Sequence, residues 1–483
     1  MPYPRRSLSF VLLPALSAAP AVALGGDAPA ASRPPRPNIV LILADDLDRM
    51  DLARFPNLSR LRRESAELTE FTVTDSWCCP SRATILRSQY VHSHNVRTNN
   101  APDGGFEEFH ARGHDRSTIG TWLKPAGYRT AFLGKFLNGY PTSAAPGYVP
   151  PGWDEWHVPA PKNMYKQRNY QLIEQGARRH RTEHLDDVLA RKARTVISSS
   201  ARPFFLYLAP IAPHLPAAYA PRHANAFAKA RAPRTPSFNR PPARNEPRWL
   251  RRMPKLNPKA VKRIDRVYRD RLRSMLAVDD MVGSVVETLR ASGKLSNTYI
   301  FFTSDNGYHL GQHRLWPGKT TPFEEDVRVP ALVRGPGIRP GRVRALSGTI
   351  DLAPTFTRLA GVPAPPFAEG RSLVPVLRRQ KVPWRKGMLI EFYAGRPGDK
   401  PEGPDCDTKT RRGCPLPPTY AALRTRRHTY VEYATGERQF YDRAKDPYQL
   451  QNRAAVAPGY LHDWLARYRT CKAATCRRAD RNR

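Results

Sequence analysis

Asn38-Ile39-Val40-Leu41-Ile42-Leu43-Ala44 runs without a break into Asp45-Asp46. The run is short, apolar after its first residue and rich in branched side chains. It therefore reads as a strand buried on both faces, the kind found inside a parallel sheet. Three more runs have this form. Thr130-Ala131-Phe132-Leu133 leads into Gly134-Lys135. Phe204-Phe205-Leu206-Tyr207-Leu208 leads through Ala209-Pro210 to His214. Tyr299-Ile300-Phe301-Phe302-Thr303 leads through Ser304 to Asp305-Asn306-Gly307. Ala331-Leu332-Val333 is a shorter fifth run of the same kind.

Helical patterns lie between these runs, over 56–67, 81–87 and 267–291. The last carries Leu272, Leu276, Met281, Val285 and Leu289 at helix-like spacing. Strands alternating with helices predict an α/β domain over 36–380, with a large, mostly parallel sheet flanked by helices. In open parallel sheets, ligands bind beyond the carboxyl ends of the strands. Acids, a lysine and a histidine should therefore gather along one sheet edge. Asp45, Asp46, Asp305 and Asn306 together offer hard oxygen ligands for a divalent cation, Ca²⁺ or Mg²⁺. Asp279-Asp280, in the middle of a helical pattern, reads instead as a solvated face.

The second signal is Cys78-Cys79-Pro80-Ser81-Arg82. Pro80 and Ser81 are good helix-start residues, so Cys78 is expected just before a helix N-terminus. Such an end binds anions and lowers the pKa of a thiol.

The ends of the chain differ in texture. Arg5-Arg6, the mostly apolar stretch 8–24 and the small residues after it predict an export signal and leader over 1–31, hence a secreted or periplasmic protein. No apolar run of about 18 residues is present, so no transmembrane segment is expected. After Pro383, Met388–Tyr393, Tyr420–Arg424, His428–Tyr433 and Gln439–Tyr441 look like short antiparallel strands. They predict a small C-terminal α+β domain over 384–470, followed by a loosely held basic tail, 471–483. Of the six cysteines, Cys406 with Cys414 and Cys471 with Cys476 are close pairs that predict local disulfides in an exported chain.

Lys plus Arg number 79 against 42 Asp plus Glu, a net charge of +37. This balance favours polyanionic partners. Residues 222–273 alone carry 17 basic against 3 acidic side chains. No helix-turn-helix, zinc or aromatic-platform motif accompanies the charge, so no specific nucleic acid is expected.

The motifs resemble those of the type I sulfatases of the alkaline phosphatase superfamily, and Cys78-Cys79-Pro80-Ser81-Arg82 matches the modification motif of that family. The resemblance runs from Pro37 to Asn452. It is nearest to the N-acetylglucosamine-6-sulfatase group in Gly134-Lys135-Phe136-Leu137-Asn138, Ala212-Pro213-His214, the stretch from Ser304 to His313, and Gly318-Lys319-Thr320. It implies that a formylglycine-generating enzyme oxidises Cys78 to formylglycine. One hydroxyl of the hydrated aldehyde then attacks sulfur, and the other later expels sulfate. It further implies Asp45, Asp46, Asp305 and Asn306 as ligands of Ca²⁺, with residue 78 beside the metal. Arg82 would hold the hydrate, Lys135 and Lys319 would neutralise the sulfuryl group, and His214 with Lys319 would protonate the leaving oxygen. A sulfated carbohydrate is the implied substrate, with 6-sulfated glucosamine first.

In one respect the chain departs from many arylsulfatases. Leu137 stands where they carry a histidine, which leaves the base for sulfate release among His92, His94 and His309. His94 and His309 are also expected to bind substrate. Cys79 is expected to be a packed thiol. Arylsulfatases and phosphonate or phosphate ester hydrolases of the same superfamily are the nearest alternatives. An inactive polyanion-binding protein is disfavoured, because every catalytic position is filled.

Overall fold

A computed structural model describes Val11 and residues 36–161, 164–395 and 416–481. The expected export signal, apart from Val11, and the Cys406/Cys414 pair lie outside them.

Ten strands build the main sheet. They are β1 (Asn38–Ala44), β2 (Ala66–Leu68), β3 (Arg129–Gly134), β4 (Glu155–Pro159), β5 (Tyr170–Glu174), β6 (Ala177–Arg181), β7 (Phe204–Ala209), β8 (Thr298–Ser304), β9 (Leu332–Arg334) and β10 (Gly341–Val343). Their order is β10-β2-β9-β8-β1-β7-β3-β4-β5-β6. The five central strands, β8 to β4 in that order, are parallel neighbours. Antiparallel pairings flank them on both sides. The sheet is thus mixed, with a parallel heart.

Side chains alternate across each buried strand. Ile39, Leu41 and Leu43 join one core, and Val40, Ile42 and Ala44 join the other. The first core is closed by α2 (Cys78–Arg87) and α5 (Leu352–Leu359), through Ala83, Leu86, Leu352 and Phe356. The second is closed by α1 (Pro56–Arg63), α3 (Leu185–Ser199) and the 34-residue α4 (Pro258–Ala291). Burial on both faces explains why these strands carry no polar alternation.

Several expectations are corrected. The run at 331–333 enters the sheet antiparallel to β8, because the chain between them forms loops and one short helix and never crosses the sheet to return parallel. The helix from Pro56 ends at Arg63, and residues 66–68 form β2, paired to both β9 and β10. Asp279 is no solvated residue. Its carboxylate accepts hydrogen bonds from the backbone N–H groups of Asn57 and Leu58, at 3.2 and 2.7 Å, and so caps α1. Asp280 does face solvent, paired with Arg222.

Strands β11 (Gly387–Phe392), β12 (Tyr420–Thr425), β13 (His428–Tyr433) and β14 (Arg438–Asp442) form a four-stranded antiparallel sheet in sequence order. Ile390, Phe392, Val431 and Tyr441 share the first core with the main sheet. The tail is not loose. The Cys471–Cys476 disulfide is present, Cys476 lies within α6 (Ala474–Ala479), and buried Asp480 accepts from Arg371 at 2.5 Å.

Candidate active site

The central parallel strands end in register. Ala44 lies beside Ser304, and Gly134 beside Ala209. Asp45-Asp46, Asp305-Asn306 and Lys135 therefore emerge at one edge, with the β7 loop bringing His214 to the same place. Gly134 is required there. It has a φ of 109°, and an added Cβ would lie 2.0 Å from the Ala209 carbonyl oxygen. Asp46 has a φ of 63°, a left-handed turn that Asp tolerates better than most residues. This turn aims both Asp45 and Asp46 into the site.

Cys78 occupies the first turn of α2, inside the helix and not before it. Its Sγ lies 2.8 Å from Lys319 Nζ, 3.5 Å from an Asp45 oxygen and 3.8 Å from an Asp46 oxygen. Lys135 Nζ donates to Asp45 at 2.7 Å, and Lys319 Nζ to Asp46 at 2.7 Å. Arg82 donates through Nε to Asp305 at 2.7 Å and through Nη1 to the Lys135 carbonyl at 2.7 Å. Asn306 donates to Asp46 at 2.7 Å, and His214 Nε2 lies 3.6 Å from Asp46 Oδ2. The nine residues Asp45, Asp46, Cys78, Arg82, Lys135, His214, Asp305, Asn306 and Lys319 thus form one buried cluster.

Electrostatics within it are unusual. Burial opposes ionisation of Asp45, yet Lys135, His214, Arg82 and Lys319 hold it well below the usual carboxylate range. Burial pushes Asp305 up to about 6, with Asp45 and Asp46 reinforcing the rise against Arg82 and Lys135. Lys135 is held charged by Asp45 despite burial. The expected lowering of the Cys78 thiol does not occur. Burial, helped by Asp45 and Asp305, outweighs Lys135 and Lys319 and pushes it well above its ordinary value. As an unmodified thiol it is therefore a poor nucleophile at neutral pH.

The residues fit a divalent cation. One ligand atom from each of Asp45, Asp46, Cys78 and His214 lies within 4.8 Å of the others. Asp46 Oδ2 and Asn306 Oδ1 are buried acceptors that receive no hydrogen bond. Orphaned buried acceptors of this kind are costly unless a cation or donor meets them. Asp305 is already engaged. Oδ1 accepts from the Asp46 and Asn306 N–H groups, and Oδ2 accepts from Arg82.

The three candidate histidines separate. His94 does not reach the cluster. It is fully buried, its Nε2 meets Thr84 Oγ1 at 3.1 Å and its Nδ1 accepts from Val96 N–H, so neither ring nitrogen faces a substrate. His92 is spent on Glu391 and the Cys471 carbonyl. His309 is placed differently. Its Nδ1 meets both Asp326 oxygens, at 2.9 and 3.0 Å, and its Nε2 borders Gly318, next to Lys319. Asp326 is fully buried and also accepts from Thr321 N–H and Oγ1. Cys79 is packed, and its sulfur accepts from Asn138 N–H at 3.2 Å.

Sequence reading missed three contributors. Tyr165 stacks on His214 with ring centroids 4.4 Å apart. Asp326 orients His309. Arg271, on α4, donates to the Asp46 carbonyl at 2.7 Å and to Asp48 at 2.6 Å. None carries a local motif. Arg271 sits in a basic helix where many arginines look alike.

A family model for sulfatases matches residues 37–362. The Capra hircus N-acetylglucosamine-6-sulfatase is 34% identical over 486 aligned residues, covering 92% of this chain and 85% of that protein. A Caenorhabditis elegans extracellular sulfatase homologue is 38% identical over 73% of this chain, which spans 52% of that longer protein. Among solved structures, a protein captured with its substrate D-glucosamine-2-N,6-O-disulfate superposes with a TM-score of 0.75 at 23% identity, covering 92% of this chain and 99% of that one. The Silicibacter pomeroyi phosphonate monoester hydrolase shares the fold with a TM-score of 0.68 at 24% identity, covering 89% of this chain and 93% of its own. With a sulfatase model over two thirds of its length and full-length relatives above 30% identity, the chain belongs to the sulfatase family and is a sulfuric ester hydrolase.

Proposed function

We propose that the protein removes the 6-sulfate from a glucosamine-type sugar, using formylglycine made from Cys78 and a divalent cation, Ca²⁺ or Mg²⁺. The observation that carries the chemistry is the placement of Cys78. Its sulfur lies against Lys319, Asp45 and Asp46, yet its thiol is too basic to attack as it stands. Oxidation of that side chain to an aldehyde by a formylglycine-generating enzyme supplies the gem-diol nucleophile the reaction needs. The cation, held by Asp45, Asp46, Asp305 and Asn306, supplies Lewis acidity and a template for a sulfate oxygen.

The chain's own side chains supply the rest. Lys135 and Lys319, each now paired with a carboxylate, place positive charge where sulfuryl charge develops. Arg82, tied to Asp305 and to the Lys135 carbonyl, would hold the hydrate of residue 78 in place. His214, its ring fixed by Tyr165 and its Nδ1 2.6 Å from the Leu215 carbonyl, presents Nε2 to the cluster as the acid for the leaving oxygen. His309, backed by Asp326, is the histidine positioned to contact the sugar or take the proton during sulfate release. The substrate assignment is supported by the N-acetylglucosamine-6-sulfatase relatives and by the sulfated glucosamine held by the structural neighbour. Export is supported by the extracellular sulfatases among the relatives.

The test is turnover on a panel of sulfated mono- and oligosaccharides, an aryl sulfate and a phosphate diester, using protein made with the modifying enzyme. The 6-sulfated glucosamine should have the highest kcat/KM. No detectable turnover of it beside good turnover of the aryl sulfate or the diester would contradict the assignment.

A further inference from the structure

The basic segment 222–273 is not consumed by the chemistry above. Its second half forms the start of α4, where Pro258, Val261, Lys262, Asp265 and Arg269 follow helical spacing along one face. The opposite face, through Ala260, Ile264, Val267 and Leu272, is buried in the second core. The outward face and the chain at 228–231 and 255–257 line an open cavity of about 980 Å³, at the upper end of the usual range of about 300–1,000 Å³ for ligand sites.

Five cations line it: Lys229, Arg231, Lys255, Lys262 and Arg269. One acid faces them, and it is already used. Asp265 accepts from Arg234 through both oxygens, each at 2.8 Å, and from Ala232 N–H at 3.0 Å. None of the five cations forms an ion pair among the described residues. Arg269 gives one hydrogen bond, to the Ala230 carbonyl. Like charges gathered around one cavity repel, and a polyanion relieves that repulsion. Leu256, Val261 and Ala228 supply an apolar lining suited to sugar faces.

The cavity is tied to the catalytic edge. Asn239 exchanges two side-chain hydrogen bonds with the Leu256 backbone, at 2.9 and 2.8 Å, and its own N–H donates to the Gly311 carbonyl at 2.7 Å. Gly311 lies two residues beyond His309. Arg271, which holds the Asp46 carbonyl, stands nine positions along α4 from Lys262, a rise of about 14 Å. A chain of a few sugars spans that interval.

We propose that this cavity is an anion-binding exosite that holds sulfate groups of the glycan distal to the residue being hydrolysed. The inference deepens the proposed function and rests on it for the identity of the ligand. It is tested with full-length protein and the triple variant Lys229→Ala, Lys255→Ala, Lys262→Ala. All three side chains are exposed, and none belongs to the buried cluster around Cys78.

Two readouts are taken: direct binding of a fluorescent N- and 6-O-sulfated glucosamine-containing hexasaccharide, and kinetics on that hexasaccharide and on the 6-sulfated monosaccharide. The triple variant should bind the hexasaccharide about five- to tenfold more weakly. Its KM for the hexasaccharide should rise by a similar factor at unchanged kcat, and monosaccharide kcat/KM should not move. Equal hexasaccharide binding by both proteins would overturn the exosite. So would an equal loss on the monosaccharide, or tighter binding of a single-stranded nucleic acid to the cavity than of the sulfated hexasaccharide. If neither protein turns over any sulfated glucosamine while the binding difference holds, the proposed function fails and the exosite stands.

Discussion

Two buried charge clusters in this molecule use similar residues to opposite ends. At the candidate active site, Asp45, Asp46 and Asp305 meet Lys135, Lys319 and Arg82. Where the small sheet meets the main one, Glu324 and Glu70 meet Arg424, Arg443 and Arg328. In the second cluster Glu324 receives both Nε and Nη2 of Arg424, at 2.7 and 2.9 Å, and Arg443 at 3.0 Å. The guanidiniums hold its carboxyl well below the usual range despite burial. That cluster is a clasp. Planar forks grip carboxylates from other parts of the chain, and the polar atoms left over are donors. In the catalytic cluster two of the three cations are lysines, point charges on flexible stems, and acceptors are left without donors on Asp46 and Asn306. Ion pairing of similar composition thus fastens one region and leaves the other with buried acceptors that receive no hydrogen bond.

That contrast can be broken experimentally. The largest effect is expected from Asp305→Ala. It removes the carboxylate that holds Arg82 and caps two backbone N–H groups, so kcat/KM should fall by at least about 10³-fold in a protein that remains folded by circular dichroism. Retained activity in metal-free protein, confirmed by elemental analysis, would count against the same point. In the clasp, Glu324→Gln should cost about 3 kcal/mol of stability in chemical denaturation, because two buried arginines lose their shared partner. A loss below about 0.5 kcal/mol would show that the clasp does not fasten the sheets.

A smaller effect is expected at the histidine that borders the catalytic cluster. Asp326→Asn should lower kcat by about 10- to 100-fold and shift the pH profile of kcat, since His309 would lose the carboxylate that fixes its tautomer. An unchanged pH profile would assign Asp326 a purely structural role.

The smallest effect concerns pH and stability. Burial pulls His92 down, but Glu391 and the Cys471 carbonyl push it up to about 9. A raised folded pKa means the contribution is whole below the unfolded value of about 6.5 and is lost as pH rises through about 9. It should be at most about 3 kcal/mol. Unfolding free energy should therefore drop between pH 7 and 10, and His92→Gln should flatten that drop. An equal slope in the variant would refute the link.

The parts legible in the sequence were those with short-range signatures. β1, β3, β7 and β8 announced themselves as apolar runs because both their faces are buried, and each delivered its polar residues within a few positions of the strand end. What was hidden depends on distant chain segments. The direction of β9 depends on how residues 305–331 turn back, which no local pattern encodes. Asp279 looked solvated until α1 lay across it. The edge strand β6 escaped notice because Ala177–Arg181 is exposed and rich in arginine. His94 sits three residues before Arg97 in a polar stretch, and nothing local shows that Thr84 and Val96 occupy its ring.

In the proposed mechanism residue 78 acts as an aldehyde and not as a thiol. Its most direct test is peptide mass spectrometry across Trp77 to Arg82, run on a preparation whose sulfatase activity has been measured. Formylglycine is expected at position 78 in a fraction that tracks specific activity, with Cys79 left as a thiol. Full specific activity in protein whose Cys78 is entirely unmodified would contradict it.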